Sequence, residues 1–329
     1  MSSALGAVAR WTAPVLALAA VLAQTGPVPA VRLVDDSNPL AGRPFYVDPI
    51  SSAMRAAKNA SPPSPELTTL ANTPASFWLD EAFPASSVAG TVARYTGAAQ
   101  AAGSTPVLTL YAIPSRDCGS FAAGGFGSGA AYRQWIDAVA AGVGSNPAAV
   151  ILEPDALAMA DCLSPAGRQE RYDLMSYAVN TLASHPSVAL YVDAGHSRWL
   201  SADAMAARLN TVGVSKARGF SLNTANFFTT SEEIGFGETI SDLTGGAHYV
   251  IDTSRNGAGP ATDTALDWCN PGGRAMGAAP TTATAGAHAD AYLWVKRPGE
   301  SDGSCNRGEP GAGTFVNSYA IQLVRNAGS

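Results

Sequence analysis

Short apolar segments alternate with helix-like segments along most of the chain, and this alternation constrains the fold more than any other feature. Several apolar segments, such as residues 149–152, are continuous runs, which is typical of strands that are buried on both faces. Eight segments are predicted to be strands, at residues 45–47, 76–79, 106–111, 149–152, 188–192, 219–222, 248–251 and 291–295.

Apolar residues at helical spacing lie between the predicted strands. One helix face comprises Tyr132, Trp135, Ile136, Val139 and Val143. A second face comprises Tyr172, Met175, Val179 and Leu182, with Ser164 as the N-cap and Pro165 as the first helical residue. This repetition predicts a parallel α/β fold, and seven or eight units favour a barrel; a doubly wound open sheet is the alternative.

Residues 1–30 resemble an export signal. Arg10 precedes a short apolar run from Trp11 to Ala23, and two possible cleavage contexts follow, at residues 21–23 and 28–30. An uncleaved anchor or a buried helix is the alternative, but the run is shorter than the roughly 20 residues of a membrane span. We therefore expect a secreted protein with one folded domain over residues 31–329, retained at the cell envelope if the segment is not removed.

Composition excludes several classes of partner. Charged residues make up only 14% of the chain and the formal net charge is −6, so there is no basic surface to bind nucleic acid. No apolar run after residue 30 is long enough to suggest a membrane span of the mature domain.

The four cysteines are Cys118, Cys162, Cys269 and Cys305. They contain no CxxC pair, which makes a zinc knuckle improbable. Export favours disulfides over free thiols, and four cysteines allow three pairings.

An acidic residue follows each of five predicted strands: Asp117, Asp155, Asp193, Asp252 and Asp302. In a parallel barrel the carboxyl ends of the strands converge on one mouth, so these carboxyls are expected to lie close together. Because clustered like charges raise the pKa of at least one member, the pattern indicates acid/base chemistry.

Other catalytic motifs are missing from the sequence. The four histidines form no HExxH motif, and no metal or cofactor is expected, although an oxygen-rich Mg²⁺ or Ca²⁺ site stays open as an alternative. The glycine-rich segment 124–129 lacks the P-loop lysine and is interpreted as a flexible surface loop. Residues 195–199 are not a GxSxG elbow, which disfavours a serine hydrolase.

Tryptophans at or just beyond predicted strand ends indicate the substrate. Trp78, Trp199 and Trp268 are candidates to stack on sugar rings, whereas Trp294 lies inside a strand and is expected in the core. Polar partners for sugar hydroxyls are available in Lys296, Glu300, Arg116 and Asn226. Aromatic residues beside clustered acids point to a glycoside hydrolase.

Five motifs resemble those of glycoside hydrolase family 6, in the same order. They are YAIPSRDCG at 111–119 with the glycine-rich 122–125, LEPDAL at 152–157, YVDAGH at 191–196, VIDTSRNG at 250–257 and WVKRPGESDG at 294–303. The resemblance covers residues 38–326. Thr109 departs from the usual valine of the first motif, which concerns packing and not chemistry.

The resemblance implies a distorted (β/α)8 barrel that cleaves β-1,4-glucosidic bonds of cellulose with inversion. By position, Asp155 matches the general acid, Asp117 the acid that raises its pKa, and Asp302 the debated base. Asp193 matches a supporting carboxylate, and Tyr111 the tyrosine that favours a distorted sugar ring.

The remaining roles also follow from matched positions. Trp78, Trp199 and Trp268 match sugar-stacking platforms, and the polar contacts are Lys296, Glu300, His196 and Arg116. The family's disulfides would pair Cys118 with Cys162 and Cys269 with Cys305.

The short segment between Cys269 and Cys305 favours an open groove and internal cleavage. An exo-acting cellobiohydrolase, a catalytically silent glycan-binding protein and a hydrolase of another β-glucan are the alternatives. No cellulose-binding module is evident, and we expect a monomer acting on soluble or amorphous glucan.

Overall fold

The computed structural model describes residues 1–2, 37–262 and 266–328. The predicted export segment at residues 1–30 lies almost entirely outside these described residues. Among the helices in the described ranges, none is both long enough and apolar enough to cross a membrane.

In the part of the chain that the structure describes, seven parallel strands form one sheet in which each strand lies beside its neighbour in the sequence. The strands are β1 Phe77–Leu79, β2 Val107–Leu110, β3 Ala148–Leu152, β4 Val188–Asp193, β5 Gly219–Leu222, β6 His248–Asp252 and β7 Ala289–Leu293. A doubly wound sheet would reverse the strand order midway, so that alternative is wrong. The α/β barrel interpretation is confirmed, with seven strands.

The prediction of a strand at residues 45–47 is wrong. Phe45 makes only an isolated parallel bridge with Thr105. Pro44 and Pro49 flank this segment, and because proline has no N–H to donate, the ladder does not extend.

The two edge strands of the sheet approach each other without forming a ladder. The Ser76 N–H donates to the carbonyl of Trp294 at 2.9 Å, and the Trp78 indole N–H donates to the carbonyl of Val295 at 2.8 Å. The sheet is therefore a curled, distorted barrel in which these two hydrogen bonds span the gap beside β1.

Within the described ranges, eight α-helices surround the sheet: α1 Ser52–Asn59, α2 Pro65–Ala71, α3 Ala85–Ala101, α4 Gly129–Val143, α5 Pro165–Ala183, α6 Ala202–Val212, α7 Thr230–Leu243 and α8 Asn317–Ala327. Both predicted helix faces are confirmed. The five-residue face on α4 is fully buried, and the Ser164 hydroxyl accepts from the Gly167 N–H at the start of α5, with Pro165 as the first helical residue.

The core has two layers because successive side chains of a strand point to opposite faces. On β3, Val150 and Leu152 pack outward against the helices, whereas Ala149 and Ile151 pack inside the barrel. Both faces are apolar, which explains the continuous hydrophobic runs in the sequence.

Beside the amino ends of the strands, a buried polar network fixes the barrel. The Arg218 guanidinium binds both carboxylate oxygens of Asp290 at 2.7 and 2.9 Å, and the Tyr191 hydroxyl donates to the same carboxylate at 2.7 Å. This network lies at the opposite end of the sheet from the loops that follow the strands. Those loops can therefore form a functional site.

Two disulfides tie these loops together. They join Cys118 to Cys162 and Cys269 to Cys305, which is the pairing implied by the family resemblance. The first links the loop after β2 to the loop after β3, and the second links segments on either side of β7.

Candidate active site

A cleft of about 910 Å³ lies at the carboxyl ends of the strands. It brings together twelve of the predicted site residues from segments that are far apart in the sequence. They are Trp78, Tyr111, Arg116, Asp117, Asp155, His196, Trp199, Asn226, Trp268, Lys296, Glu300 and Asp302.

Asp155 is half-buried and follows β3 in a left-handed backbone conformation, with φ of 69°. Burial raises the pKa of its carboxyl well above the ordinary range, and the negative charges of Asp193 and Asp117 raise the pKa further. The like-charge repulsion predicted from the clustered acids contributes to this shift, but burial is the larger cause. The raised pKa favours the protonated form of this carboxyl, so Asp155 can act as an acid.

Asp193 lies beneath Asp155, at the end of β4, and is fully buried. Its Oδ1 accepts from the backbone N–H groups of Asp155 and Gly195 at 3.0 Å each, and its Oδ2 accepts from the Ser221 hydroxyl at 3.1 Å. Burial raises the pKa of Asp193 to about 6. When Asp193 is ionised, its negative charge raises the pKa of Asp155.

Asp117 is half-buried on the loop after β2. Its Oδ2 accepts from the backbone N–H of Ala122 at 2.8 Å, and burial raises the pKa of its carboxyl. Arg116 packs beside it, with its guanidinium 4.4 Å from the centre of the Tyr111 ring and an ion pair to Glu81 at 2.7 Å. Arg116 lines the cleft, as predicted for a sugar contact, and it also braces this loop.

Asp302 has the opposite electrostatic environment. Burial opposes its ionisation, but the nearby charges of Arg255 and Lys296 outweigh burial and lower the pKa of its carboxyl. The Arg255 Nη1 and Lys296 Nζ atoms lie 2.7 and 3.0 Å from its two oxygens, and the backbone N–H of Asn270 donates to it at 3.0 Å. The Asp302 carboxylate is therefore ionised and can accept a proton.

Arg255 is the buried ion-pair partner of Asp302, a role that was not predicted from the sequence. It lies within the motif at residues 250–257 and is fully buried. A signal was present, because an arginine three residues after a buried strand requires an anionic partner if it is itself buried. The sequence alone did not identify Asp302 as that anion.

Aromatic rings line the cleft in three groups. Trp78 meets Tyr111 edge-to-face with ring centres 5.3 Å apart. His196 lies against Trp199 at 5.2 Å, and burial lowers the pKa of this histidine to about 4, so its ring is neutral. Trp268 forms the third group and is partly exposed to the cleft. These surfaces suit the apolar faces of sugar rings.

Several cleft residues carry no signal in the sequence pattern, because they come from irregular loops. They include Phe121, whose ring centre is 5.7 Å from that of Trp268, and Phe228, which stacks on His196 at 4.2 Å. Trp294 is buried, and its indole N–H donates to the carbonyl of Ala278, so the prediction that it belongs to the core is confirmed.

Two other predictions need correction. Asp252 is fully buried, and its carboxylate accepts from the backbone N–H groups of Ser254, Ala225 and Lys296, so it fixes strand ends instead of facing substrate. The glycine-rich segment is more than a flexible loop. At Gly125, with φ of 91°, an added Cβ would collide with the backbone of Ile113, so this loop packs tightly beside the cleft.

Within residues 37–262 and 266–328, no group of three or more His, Cys, Asp or Glu side chains is arranged to hold a metal ion. The cleft instead offers two carboxyls with opposite pKa shifts, Asp155 and Asp302, between stacking surfaces. A parallel barrel with such a site at its carboxyl end defines a glycoside hydrolase.

The chain belongs to glycosyl hydrolases family 6, whose sequence model matches residues 38–327. This confirms the resemblance stated from the motifs. The chain is 47% identical to Endoglucanase A of Cellulomonas fimi, covering 86% of this chain but only 61% of that protein. It is 31% identical to the probable 1,4-beta-D-glucan cellobiohydrolase C of Aspergillus terreus, covering 88% of this chain and 75% of that protein.

A solved structure is more similar still. The endoglucanase Cel6 from Mycobacterium tuberculosis, in complex with methyl-cellobiosyl-4-deoxy-4-thio-beta-D-cellobioside, is 73% identical, with a TM-score of 0.88. The match covers 89% of this chain and all of that one. The barrel described here is therefore the family's fold.

Proposed function

We propose that this protein hydrolyses internal β-1,4-glucosidic bonds of cellulose or a related β-glucan, with inversion at the anomeric carbon. The observation that carries the proposal is the pair of carboxyls in one cleft, Asp155 with a raised pKa and Asp302 with a lowered pKa. Such a pair supplies the acid and the base of an inverting hydrolysis.

Hydrolysis of the glycosidic bond requires only the substrate, one water molecule and the two carboxyls. Asp155 donates its proton to the glycosidic oxygen as the bond from that oxygen to C1 breaks. A water oxygen attacks C1 from the opposite face, and the ionised Asp302 accepts the proton that this water loses. Exchange with solvent returns the proton to Asp155. Burial, together with the negative charges of Asp193 and Asp117, keeps the pKa of Asp155 high between turnovers.

Inversion predicts the configuration of the first product. Hydrolysis of a β-1,4-linked oligosaccharide should release the α-anomer before mutarotation, because water enters opposite the leaving oxygen. Proton NMR during the first minutes of reaction measures the two anomeric signals. Initial formation of the β-anomer would mean retention and a different pairing of carboxyls.

Internal cleavage is supported by two observations. The named endoglucanases are 47% and 73% identical to this chain, whereas the probable cellobiohydrolase is 31% identical. In addition, only 36 positions separate Cys269 from Cys305, so little chain is available there to roof the cleft.

Viscometry on carboxymethylcellulose tests this part of the proposal. An endo-acting enzyme should thin the solution rapidly while it releases few reducing ends, because each internal cut shortens the polymer greatly. Slow thinning with steady release of cellobiose would indicate action at chain ends. Parallel assays on β-1,3, mixed-linkage and β-1,4 glucans identify the preferred polymer.

We further propose that the protein acts outside the cell. The two disulfides support this location, because such bonds persist in oxidising compartments. The export-like composition of residues 1–30 is consistent with it. Fractionation of a culture, with activity measured in medium and cell envelope, tests the location.

A further inference from the structure

Two buried charged side chains lie behind the cleft and are not among the described residues that line it. Glu153, after β3, is 0% exposed, and Arg171, on α5, is 2% exposed. The hydrolytic steps proposed above use neither of them. Burying charges is costly unless they are well paired, so their presence requires a physical reason.

Glu153 binds the backbone of the loop after β2. Its two carboxylate oxygens accept from the Ala112 N–H at 3.1 and 3.0 Å, and one of them also accepts from the Ile113 N–H at 3.1 Å. Glu153 is also two residues before Asp155 in the sequence. It therefore joins the segment that follows Tyr111 to the segment that carries the candidate acid.

Arg171 binds the next two residues of the same loop. Its Nη2 atom donates to the carbonyls of Pro114 and Ser115 at 3.0 and 2.8 Å. Its Nη1 atom donates at 3.1 Å to the carbonyl of Ala156, directly after Asp155. The guanidinium thus connects the loop after β2 to the segment that follows Asp155, whereas Glu153 connects that loop to the segment before it.

We propose that Glu153 and Arg171 form a buried clamp that positions Tyr111 and Asp117 against Asp155. The clamp binds the backbone of residues 112–115, which is the whole segment between Tyr111 and Arg116. It also involves the residues on either side of Asp155, because Glu153 precedes the acid and Arg171 binds the carbonyl of Ala156 after it. The proposal rests on the proposed function of the cleft, because it assigns a catalytic consequence to these contacts.

Backbone conformation explains why a clamp is needed. Ser115, Asp117, Glu153 and Asp155 all have positive φ angles, between 50° and 69°. Non-glycine residues in this region persist only when their surroundings hold them there. Burial lowers the pKa of Arg171, and the nearby Glu153 carboxylate opposes that shift. Burial also raises the pKa of Glu153 to about 7, while its hydrogen bonds from the Ala112 and Ile113 N–H groups favour the carboxylate.

The clamp has a measurable electrostatic consequence. Asp117 is one of the charges that raise the pKa of Asp155. If the loop shifts and Asp117 moves away, the pKa of Asp155 should fall. A displacement near 1 Å should also lower kcat, since such misplacement costs up to roughly 100-fold in rate.

Arg171→Lys is the main test, because lysine keeps the charge but cannot reach three carbonyls. We expect kcat on a soluble β-1,4-glucan to fall about 10-fold or more, with KM changed little. Carbon-13 NMR of carboxyl-labelled protein, with the Asp155 signal assigned by its loss in Asp155→Asn, should show a lower pKa for Asp155. Glu153→Gln should act in the same direction, because a single amide oxygen then replaces two acceptors.

Arg218→Lys is the matched control. Arg218 is an arginine with several hydrogen bonds whose side chain is only 10% exposed, but it holds Asp290 beside the amino ends of the strands. This variant should lose thermal stability while its kcat and the pKa of Asp155 stay at wild-type values. Circular dichroism confirms that each variant is folded at the assay temperature.

The outcomes separate the clamp from the proposed function. Wild-type kcat and an unchanged Asp155 pKa in both clamp variants would overturn the clamp, as would equal kcat losses in Arg171→Lys and Arg218→Lys at equal loss of Tm. Because the NMR titration does not depend on turnover, it tests the clamp even on an inactive protein. Failure of the wild-type protein to cleave any β-glucan would instead refute the proposed function.

Discussion

Replacing Asp155 by asparagine should lower the rate of hydrolysis of unactivated β-1,4-glucan by about 10²–10⁴-fold. This loss corresponds to roughly 3–5 kcal/mol of transition-state stabilisation. The reason is that asparagine cannot protonate the glycosidic oxygen, whose departure as an alkoxide is slow. Reducing-end release from a soluble glucan, compared at equal concentrations of folded protein, measures the effect.

The substrate provides a control for this prediction. An aryl cellobioside with a strongly activated leaving group needs little protonation, so Asp155→Asn should lose much less activity on it. Equal losses on both substrates would indicate a damaged site instead of a missing acid. Turnover of unactivated glucan close to the wild-type rate by a folded variant would refute the assignment of Asp155.

Replacing Arg255 by methionine should lower the free energy of unfolding by about 3–5 kcal/mol, because it leaves the buried Asp302 carboxylate without its main partner. Arg255 and Asp302 are both buried, with 2.7 Å between Nη1 and Oδ2. Methionine has a similar volume, so packing is largely kept. Urea unfolding followed by fluorescence, at neutral pH, measures the change.

The pH dependence of this loss identifies its cause. A lowered pKa of Asp302 contributes stability above the ordinary aspartate pKa, and the contribution is lost as pH falls through the pKa of the folded state. The difference between wild type and Arg255→Met should therefore be largest near neutral pH and shrink in acid. If the difference in unfolding free energy stayed constant from neutral to acid pH, the loss of stability would have to come from packing and not from the charge of Asp302.

Arg325→Met is the matched control for Arg255→Met. Arg325 pairs with Glu66 at 2.7 Å on the surface, where its side chain is 68% exposed. Exposed pairs contribute only about 0–1 kcal/mol, because solvent screens them. If Arg325→Met lost as much free energy of unfolding as Arg255→Met, burial of the ion pair would not explain the effect of Arg255→Met.

The two carboxyls at the centre of these predictions illustrate how one cleft supports two protonation states. Asp155 is half-buried beside other acids and its pKa is raised, whereas the pKa of Asp302, flanked by Arg255 and Lys296, is lowered. The residue type is the same at both positions. The difference comes from the neighbours that the fold supplies.

Much of the architecture could be predicted from the sequence because it depends on local periodicity. The continuous apolar runs of strands such as β3 and the helical spacing on α4 are fixed by which side chains must be buried. The family motifs likewise identified the acids Asp117, Asp155 and Asp302 that line the cleft. The segment at residues 45–47 was the exception, since flanking prolines restrict its pairing.

The sequence by itself determined the parallel α/β barrel, the family and the acidic residues of the cleft, because strand periodicity and motif order are properties of the chain. Only the tertiary structure decided which acid is ionised, that Arg255 partners Asp302, that Asp252 is buried away from substrate, and that Glu153 and Arg171 brace the acid from behind. The physical reason is that pKa values and buried charge pairs depend on distances between residues far apart in the sequence, and those distances exist only once the chain has folded.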